Sequence, residues 1–406
     1  MAIPVAALAQ NDVLVLDALL AEALRNNPEV LAGQKRYEAA RQRPSQVSSL
    51  PEPMFSIGYN SSGSPRPFAG LGTEPTSNAG VMFTQEFPFP GKRKLQGDMA
   101  LKEAEAEFQQ YQFVQLSVVS RLKQAYYNLN YVYSATDVLD RNLQLLRQLL
   151  RITEARYAVG QAAQQDVFKT QTQLSILETR LVQLERERQA RDAEINSLLN
   201  RAPGTQLARP AGVEPQELET TLDELFAFAR ENTPMLRREQ KMIERSEVAL
   251  NLARKQYYPD YAVTTGYFNM GAMPDMYMFR VDLKLPIYFF RKQRAGVTEQ
   301  AQTLVESRRN YEVTNQALHY RVKDDYLMAT TSKQLLDIYG RTVIPQASLA
   351  LESSLSSYQT GSIDFLSVLT NYMMVVEYEL NYNEELRNFY VALSRLEEMT
   401  GMPLIR

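Results

Sequence analysis

Residues able to do chemistry are scarce in this chain. Its 406 residues include no cysteine and no tryptophan, and a single histidine, His319, within 316-QALHYRVKDDY-326. Without thiols and with one imidazole, thiol–imidazole catalysis and cysteine- or histidine-rich metal sites are excluded. Carboxylates are plentiful, but no acid–base constellation can be assembled from them, so the chain reads as a non-enzyme that needs no cofactor. The one soft-ligand candidate is 270-MGAMPDMYM-278, where Met270, Met273, Met276 and Met278 carry thioethers of the kind that suit Cu(I) or Ag(I). Methionine is also a flexible gap filler, and the segment reads as a hairpin loop, so no metal centre is expected there. His319 has no second ligand nearby and reads as a helix-packing or lumen residue.

Charge and length narrow the class further. Lys+Arg 44 stand against Asp+Glu 47, which argues against nucleic acid as a partner, because such binders carry a basic excess or stripe. No apolar run reaches the length of about 18 residues that a membrane-spanning helix needs. At the N-terminus, Ala7-Leu8-Ala9 has the small-x-small form that ends a secretory leader, so 1–9 is read as a truncated leader remnant.

The chain is written twice. The segment 16-LDALLAEALRNNPEV-30 matches 222-LDELFAFARENTPML-236 at an offset of 206, and 51-PEPMFSIGY-59 matches 259-PDYAVTTGY-267 at 208. Pro88 falls on Pro286, 157-YAVG-160 on 358-YQTG-361, and Pro203 on Pro403, at offsets of 198, 201 and 200. Landmarks in one order at nearly constant spacing mark an internal duplication. We divide the chain into the leader remnant 1–9, a first repeat 10–204, a connector 205–221 and a second repeat 222–406. The first repeat is expected to hold a helix about 15–47, strands near 53–60 and 79–87, a long helix about 92–157 and a helix about 164–200. The second is expected to hold a helix about 222–256, strands near 261–269 and 276–285, and long helices about 292–357 and 363–400.

The long runs carry narrow apolar seams. Leu139, Leu143, Leu146 and Leu150 step by 4, 3 and 4, and Leu174, Leu177, Leu181 and Leu184 by 3, 4 and 3, the spacing of coiled-coil packing. No proline interrupts Lys92 to Tyr157, so one helix there spans on the order of 100 Å at 1.5 Å per residue. The strand segments alternate instead. In 279-FRVDLKL-285, Phe279, Val281, Leu283 and Leu285 share one face, while Arg280, Asp282 and Lys284 share the other. Such runs approach the roughly 9–11 residues that a tilted strand needs to cross a bilayer. Four strands cannot close a barrel, because bacterial barrels begin at about eight strands. Open edges with an apolar face would also aggregate. Three copies pooling twelve strands resolve both problems.

Between strand and helix stands 85-QEFPFPGKRK-94, with a weaker copy in 283-LKLPIYFFRK-292. Pro88 and Pro90 end a strand and force extended turns, Gly91 relieves the corner, and Pro286 repeats the stop. Lys92, Arg93 and Lys94 oppose the helix macrodipole, so they are read as cations opening the helix in water at a membrane-proximal rim.

This duplicated plan, with PEPMFSIGY, QEFPFPGKRKL and YQTGSIDFLSVL, resembles the TolC family of outer-membrane efflux proteins from Val13 to Pro403. The FPFPGK form is particularly similar to the CusC/CzcC-like members that serve heavy-metal pumps. The resemblance implies a mainly α protein with a small membrane β part. Its duplicated coiled-coil helices would form a trimeric α-barrel, and four strands per protomer a twelve-stranded β-barrel. It implies a passive exit duct in the bacterial outer membrane, reaching into the periplasm and surrounded by outer-membrane lipid. The implied partners are two further copies, a periplasmic adaptor (membrane fusion) protein and an inner-membrane transporter of the RND type, with heavy-metal ions as one cargo. It also implies a periplasmic gate at the two helical tips, carried here by Tyr157, Gly160 and Asp166 and by Tyr358, Gly361, Ile363, Asp364 and Phe365. Relatives close this gate with a tyrosine and an arginine on the second tip bonding an aspartate on the first. Tyr358 and Asp166 match two of these, whereas Ile363 stands at the arginine position. The family's inward acidic ring falls on Ser367 and Thr370, with Asp364 the nearest acid. Closure by Asp166 and Tyr358, or by apolar Ile363, Phe365 and Leu366, follows from that pattern. The other reading from a different class is a periplasmic coiled-coil structural or adaptor-like protein that never enters a membrane.

Overall fold

A computed structural model describes residues 13–405; the leader remnant read at 1–9 lies outside the described residues. The protein is mainly helical with one four-stranded sheet. It divides into two compact units. One takes Tyr111–Thr233 together with the segments up to Gly33 and from Asn315 onward; the other takes Gln34–Gln110 and Pro234–Thr314.

The second of these holds the sheet. Strands β1 (Met54–Asn60), β2 (Asn78–Phe87), β3 (Asp260–Asn269) and β4 (Met276–Lys284) lie in the order β1-β2-β3-β4, antiparallel throughout. The register pairs Phe55 with Phe83, Phe83 with Thr265 and Val263 with Val281. The central pairing, β2 with β3, joins the two halves of the duplication. The edge strands β1 and β4 have no further partner among the described residues, and their apolar faces are open: Ile57 is 81%, Tyr277 78% and Phe279 73% exposed. At the far end of the sheet the loops after β1 and β3 touch closely. A Cβ on Gly271 would fall 2.7 Å from the Gly72 nitrogen, and both glycines have positive φ, so neither position admits a side chain without strain.

The first unit is a helical bundle. Helix α4 (Lys92–Ala158) runs 67 residues, and its Tyr111–Ala158 part lies in this unit with α5 (Gln164–Leu198) and α10 (Phe365–Thr400). Its buried seam joins Leu139, Leu143, Leu146 and Leu149 of α4 to Leu177 of α5 and to Val368, Leu369, Tyr372 and Val375 of α10. Each fully buried leucine there contributes about 1.5–3 kcal/mol relative to exposure. The seam passes through Leu149, and Leu150 is only half-buried. A straight helix at 3.6 residues per turn drifts off a strict 3.5 repeat, so the buried stripe shifts by one position.

Three helices differ from the sequence expectation. The segment 15–47 is α1 (Leu16–Asn26), α2 (Pro28–Ala40) and α3 (Arg43–Ser48), and 222–256 is α6 (Leu222–Asn232) and α7 (Pro234–Lys255). Proline forces the residue before it out of the helical region, and Asn27 and Thr233 are both extended. Asn27 uses the break: its Oδ1 accepts from Glu29 N at 2.8 Å and Val30 N at 3.3 Å, while its Nδ2 donates to the Leu198 carbonyl at 2.8 Å. The third difference is the run 292–357. It is α8 (Lys292–Ile338), a π-turn Tyr339–Val343 and α9 (Ile344–Gln359). Pro345 follows the π-turn, and a proline ring clashes with the carbonyl four residues earlier in regular α geometry. The widened turn places that carbonyl elsewhere.

Candidate functional site

The two helical tips are built alike. In each, a helix ends on a glycine in the left-handed region, Gly160 at φ 75 and Gly361 at φ 80. Gly160 N donates to the Tyr157 carbonyl at 2.9 Å and Gln161 N to Arg156 at 2.8 Å. Gly361 N donates to Tyr358 at 3.1 Å and Ser362 N to Ser357 at 2.8 Å. This double bond pattern is the Schellman stop, which satisfies the last helix carbonyls and turns the chain. The next helices, α5 and α10, start at Gln164 and Phe365.

Arg156, in the last turn of α4, ties the first tip to the second. Its Nη1 donates to the Tyr358 carbonyl and, at 3.1 Å, to the Gln359 carbonyl; Nη2 reaches the Gln161 carbonyl of its own tip at 3.5 Å. The guanidinium carbon lies 4.6 Å from the centroid of the Tyr358 ring. A cation over the final carbonyls of α9 also meets the negative end of that helix dipole. A Cβ at Gly361 would stand 3.5 Å from the guanidinium, so the left-handed glycine also leaves room for the arginine.

The sequence-derived gate residues fall into distinct environments. Tyr358 is 4% exposed, edge-on to Phe365 with centroids 5.9 Å apart, and its hydroxyl is buried without a partner among the described residues. Asp166 sits in the first turn of α5, where a carboxylate suits the helix N-terminus. No hydrogen bond joins it to Tyr358 among the described residues. Phe365 is buried and Ile363 half-buried in the protomer's own seam; the exposed apolar side chains at the tips are Tyr157, Val159, Phe168 and Leu366. Asp364 precedes α10 and accepts from the Ser367 hydroxyl, which holds the Asp364 carboxyl below the usual carboxylate range. Sequence reasoning missed Arg156. Its partners are backbone carbonyls, which leave no residue-type signature; a lone basic residue in the last turn is the only signal.

At the junction, the chain overturns one expectation. Lys92 is not solvated: it is 3% exposed, and its Nζ donates to Asp260 Oδ1 at 2.7 Å and to the Tyr258 carbonyl at 3.0 Å. Asp260 Oδ1 also accepts from Phe89 N at 2.7 Å, so one carboxylate fixes both the turn after β2 and the start of α4. Phe89, between Pro88 and Pro90, stacks on Tyr258 with centroids 4.5 Å apart, and Gly91 turns the corner at φ 92. A buried ammonium is tolerated only with such partners. Arg93 donates to the Ser48 carbonyl at 3.3 Å. Pro286 occupies the corresponding turn after β4, followed by exposed Ile287, Tyr288 and Phe290.

The thioethers are spread over a hairpin. Met270 is buried where β3 ends, Met273 lies in the turn, and Met276 and Met278 lie on β4 opposite Phe268 and Gly266. No group of three or more histidine, cysteine or carboxylate side chains is arranged to hold a metal among the described residues. His319 stands edge-on to Phe226 with centroids 5.0 Å apart, a packing contact. No helix is long and apolar enough to cross a membrane among the described residues.

Comparison with known proteins supports the same architecture. Similar solved structures include CusC, at TM-score 0.83 and 15% identity over 97% of this chain and 93% of that one. VceC from Vibrio cholerae gives 0.81 and 18% over 96% and 97%, and the open state of MtrE from Neisseria gonorrhoeae gives 0.74 and 17% over 93% and 88%. No curated protein sequence matches the chain. The profile described as outer membrane efflux protein matches residues 19–201 and 226–402, one match in each half of the duplication. The chain belongs to the outer membrane efflux protein family, whose members are channels rather than enzymes.

Proposed function

We propose that three copies close a twelve-stranded barrel in the outer membrane and form the passive exit duct of a tripartite efflux pump. One observation carries the reading. The sheet has two open edges, β1 and β4, whose exposed side chains include Phe55, Ile57, Tyr277 and Phe279, and nothing among the described residues covers them. An apolar face and unpaired edges are stable when copies pair edge to edge and lipid meets the apolar side. An inner-membrane transporter of the RND type would supply the energy, and a periplasmic adaptor would join it to the duct. The tips, locked through Arg156 and packed around Tyr358 and Phe365, would be the gate.

The test is fractionation followed by electrophoresis with and without heating. A trimer band in the outer-membrane fraction that collapses on boiling, and discrete conductance in planar bilayers, are expected. A soluble monomer would instead favour the periplasmic coiled-coil reading. Heavy-metal cargo is the narrower proposal and rests on the 85-QEFPFPGKRK-94 punctuation. Its check is whether deleting the gene sensitises cells to silver or copper more than to organic toxicants.

A further inference from the structure

The duplication makes the contact between the two halves of one chain a template for the contact between two chains. Within the chain, the end of β2 meets the start of β3. There Lys92 at the head of α4 is bonded to Asp260, and Phe89 is stacked on Tyr258. The same parts exist once more at the two outer edges of the sheet, which have no strand partner among the described residues. β4 ends in the turn that leads into α8, and β1 begins two residues after Glu52, which aligns with Asp260 when 51-PEPMFSIGY-59 is set on 259-PDYAVTTGY-267. Lys292 heads α8 as Lys92 heads α4.

The offsets agree with this assignment. Lys92 and Lys292 are 200 apart, while the tips Tyr157 and Tyr358 are 201 apart. The single extra residue lies between them, and the π-turn Tyr339–Val343 of the second repeat takes up one residue more per turn than α geometry does. Transferring the β2–β3 register to β4 and β1 places Leu283 opposite Phe55, Val281 opposite Ile57 and Phe279 opposite Tyr59. All six are apolar and exposed. A slip of one residue would set Arg280 or Asp282 among them, so the transferred register is the one that keeps the apolar face continuous.

From this we infer that Lys292 of one protomer pairs with Glu52 of the next, repeating across the subunit boundary the Lys92–Asp260 contact made inside each chain. Both side chains are exposed, and neither has an ion-pair partner among the described residues. Glutamate is one methylene longer than aspartate, which suits a turn in which Pro286 stands six residues before Lys292, where Pro88 stands four before Lys92. Exposed Leu50, which aligns with Tyr258, would then lie under the exposed turn carrying Ile287 and Tyr288, as Tyr258 lies under Phe89. The occupant of this face is therefore a second copy of the chain. The inference rests on the trimeric reading above and adds the residues that lock the junction.

The experiment uses the full chain, which has no native cysteine. Glu52→Lys and Lys292→Glu, made singly, should each lower the fraction of trimer surviving a fixed heating step roughly tenfold, and the double swap should restore it. In parallel, the Glu52→Cys/Lys292→Cys protein treated with a short bismaleimide should give a covalent ladder up to the trimer, with no ladder from either single variant. A Val281→Cys/Ile57→Cys protein serves as the second arm. If it cross-links and the wild-type trimer is intact, but the 52/292 protein gives no ladder and the single reversals are silent, the ion pair is overturned and the trimeric duct stands. A monomeric wild type with no ladder from either pair overturns both.

Discussion

The guanidinium of Arg156 lies 4.6 Å above the ring of Tyr358 and donates to that residue's own carbonyl, 202 residues further along the chain. One side chain thus holds the ring, the end of α9 and, through the Gln161 carbonyl, its own turn. Ile363 occupies the position where the family resemblance places an arginine, and the cation that links the tips comes instead from the first tip.

Arg156→Ala removes a charged donor shared by two carbonyls of the second tip. Bonds to charged groups contribute about 1.5–3 kcal/mol, and this guanidinium is half-exposed, so a loss of about 1.5 kcal/mol is expected. Closure should weaken roughly tenfold, read as a higher open fraction in planar bilayers. Arg156→Lys should recover part of this, because an ammonium keeps the charge but not the fork that reaches two carbonyls. Equal open fractions in all three proteins would remove Arg156 from the gate.

Tyr358→Phe and Asp166→Ala separate a latch between protomers from simple packing. The Tyr358 hydroxyl is buried with no partner among the described residues. If a movement of the tip brings it to Asp166 of a neighbour, either substitution should raise the open fraction severalfold, by about 1 kcal/mol. Conductance matching wild type in both would end the latch assigned to this pair. Tyr358→Phe would then be neutral or slightly stabilising, because it deletes an unsatisfied polar atom.

At the junction, Asp260→Ala leaves Lys92 buried with only the Tyr258 carbonyl, and also strips Phe89 N of its acceptor. Removing one partner of a buried pair costs about 3–5 kcal/mol. Lys92→Met keeps the length without the charge and should cost much less. Urea unfolding of the detergent-solubilised protein should show that asymmetry, and equal losses from the two would contradict it.

The duplication, the strand alternation and the coiled-coil seams were legible because each is periodic. Side chains at Phe279, Val281 and Leu283 must share a face whatever they pack against, and Leu177 must follow Leu174 round its helix. What escaped is what depends on a distant partner. Lys92 looks solvated beside Arg93 and Lys94, and Asp260, 168 residues away, together with the Tyr258 carbonyl makes its burial tolerable. The π-turn is similarly non-local: a Cβ on Gly340 would meet the Tyr382 ring at 3.3 Å, so the packing of α10 has a part in it. The break at Asn27 was readable in principle, since asparagine before proline both stops a helix and caps the next. It was masked by apolar periodicity that continues through it. At the tips, alignment pointed to Asp166 and Tyr358 but carried no information about Arg156.

Asp325 yields a pH dependence with a definite sign. It lies on α8 within the helical unit, where burial pushes its carboxyl up to about 6; Arg395 at 3.5 Å opposes the rise, while Asp324 and Glu398 add to it. A carboxyl whose folded-state value exceeds its unfolded value favours the native state when protonated. The native protein therefore loses stability as pH climbs from the ordinary aspartate range to about 6, and the full penalty applies above that. Two units correspond to about 3 kcal/mol, and partial solvent screening brings the expectation nearer about 2 kcal/mol. Asp325→Asn is close in shape and cannot ionise. It should raise the unfolding midpoint at pH 7.5, and the gain should shrink steadily below pH 6 and vanish near pH 4. The half-exposed partner Arg395 contributes little, so its loss does not reverse the sign. A gain that stays constant across that window, or a loss at neutral pH, would show that the Arg395 ion pair outweighs burial at this position.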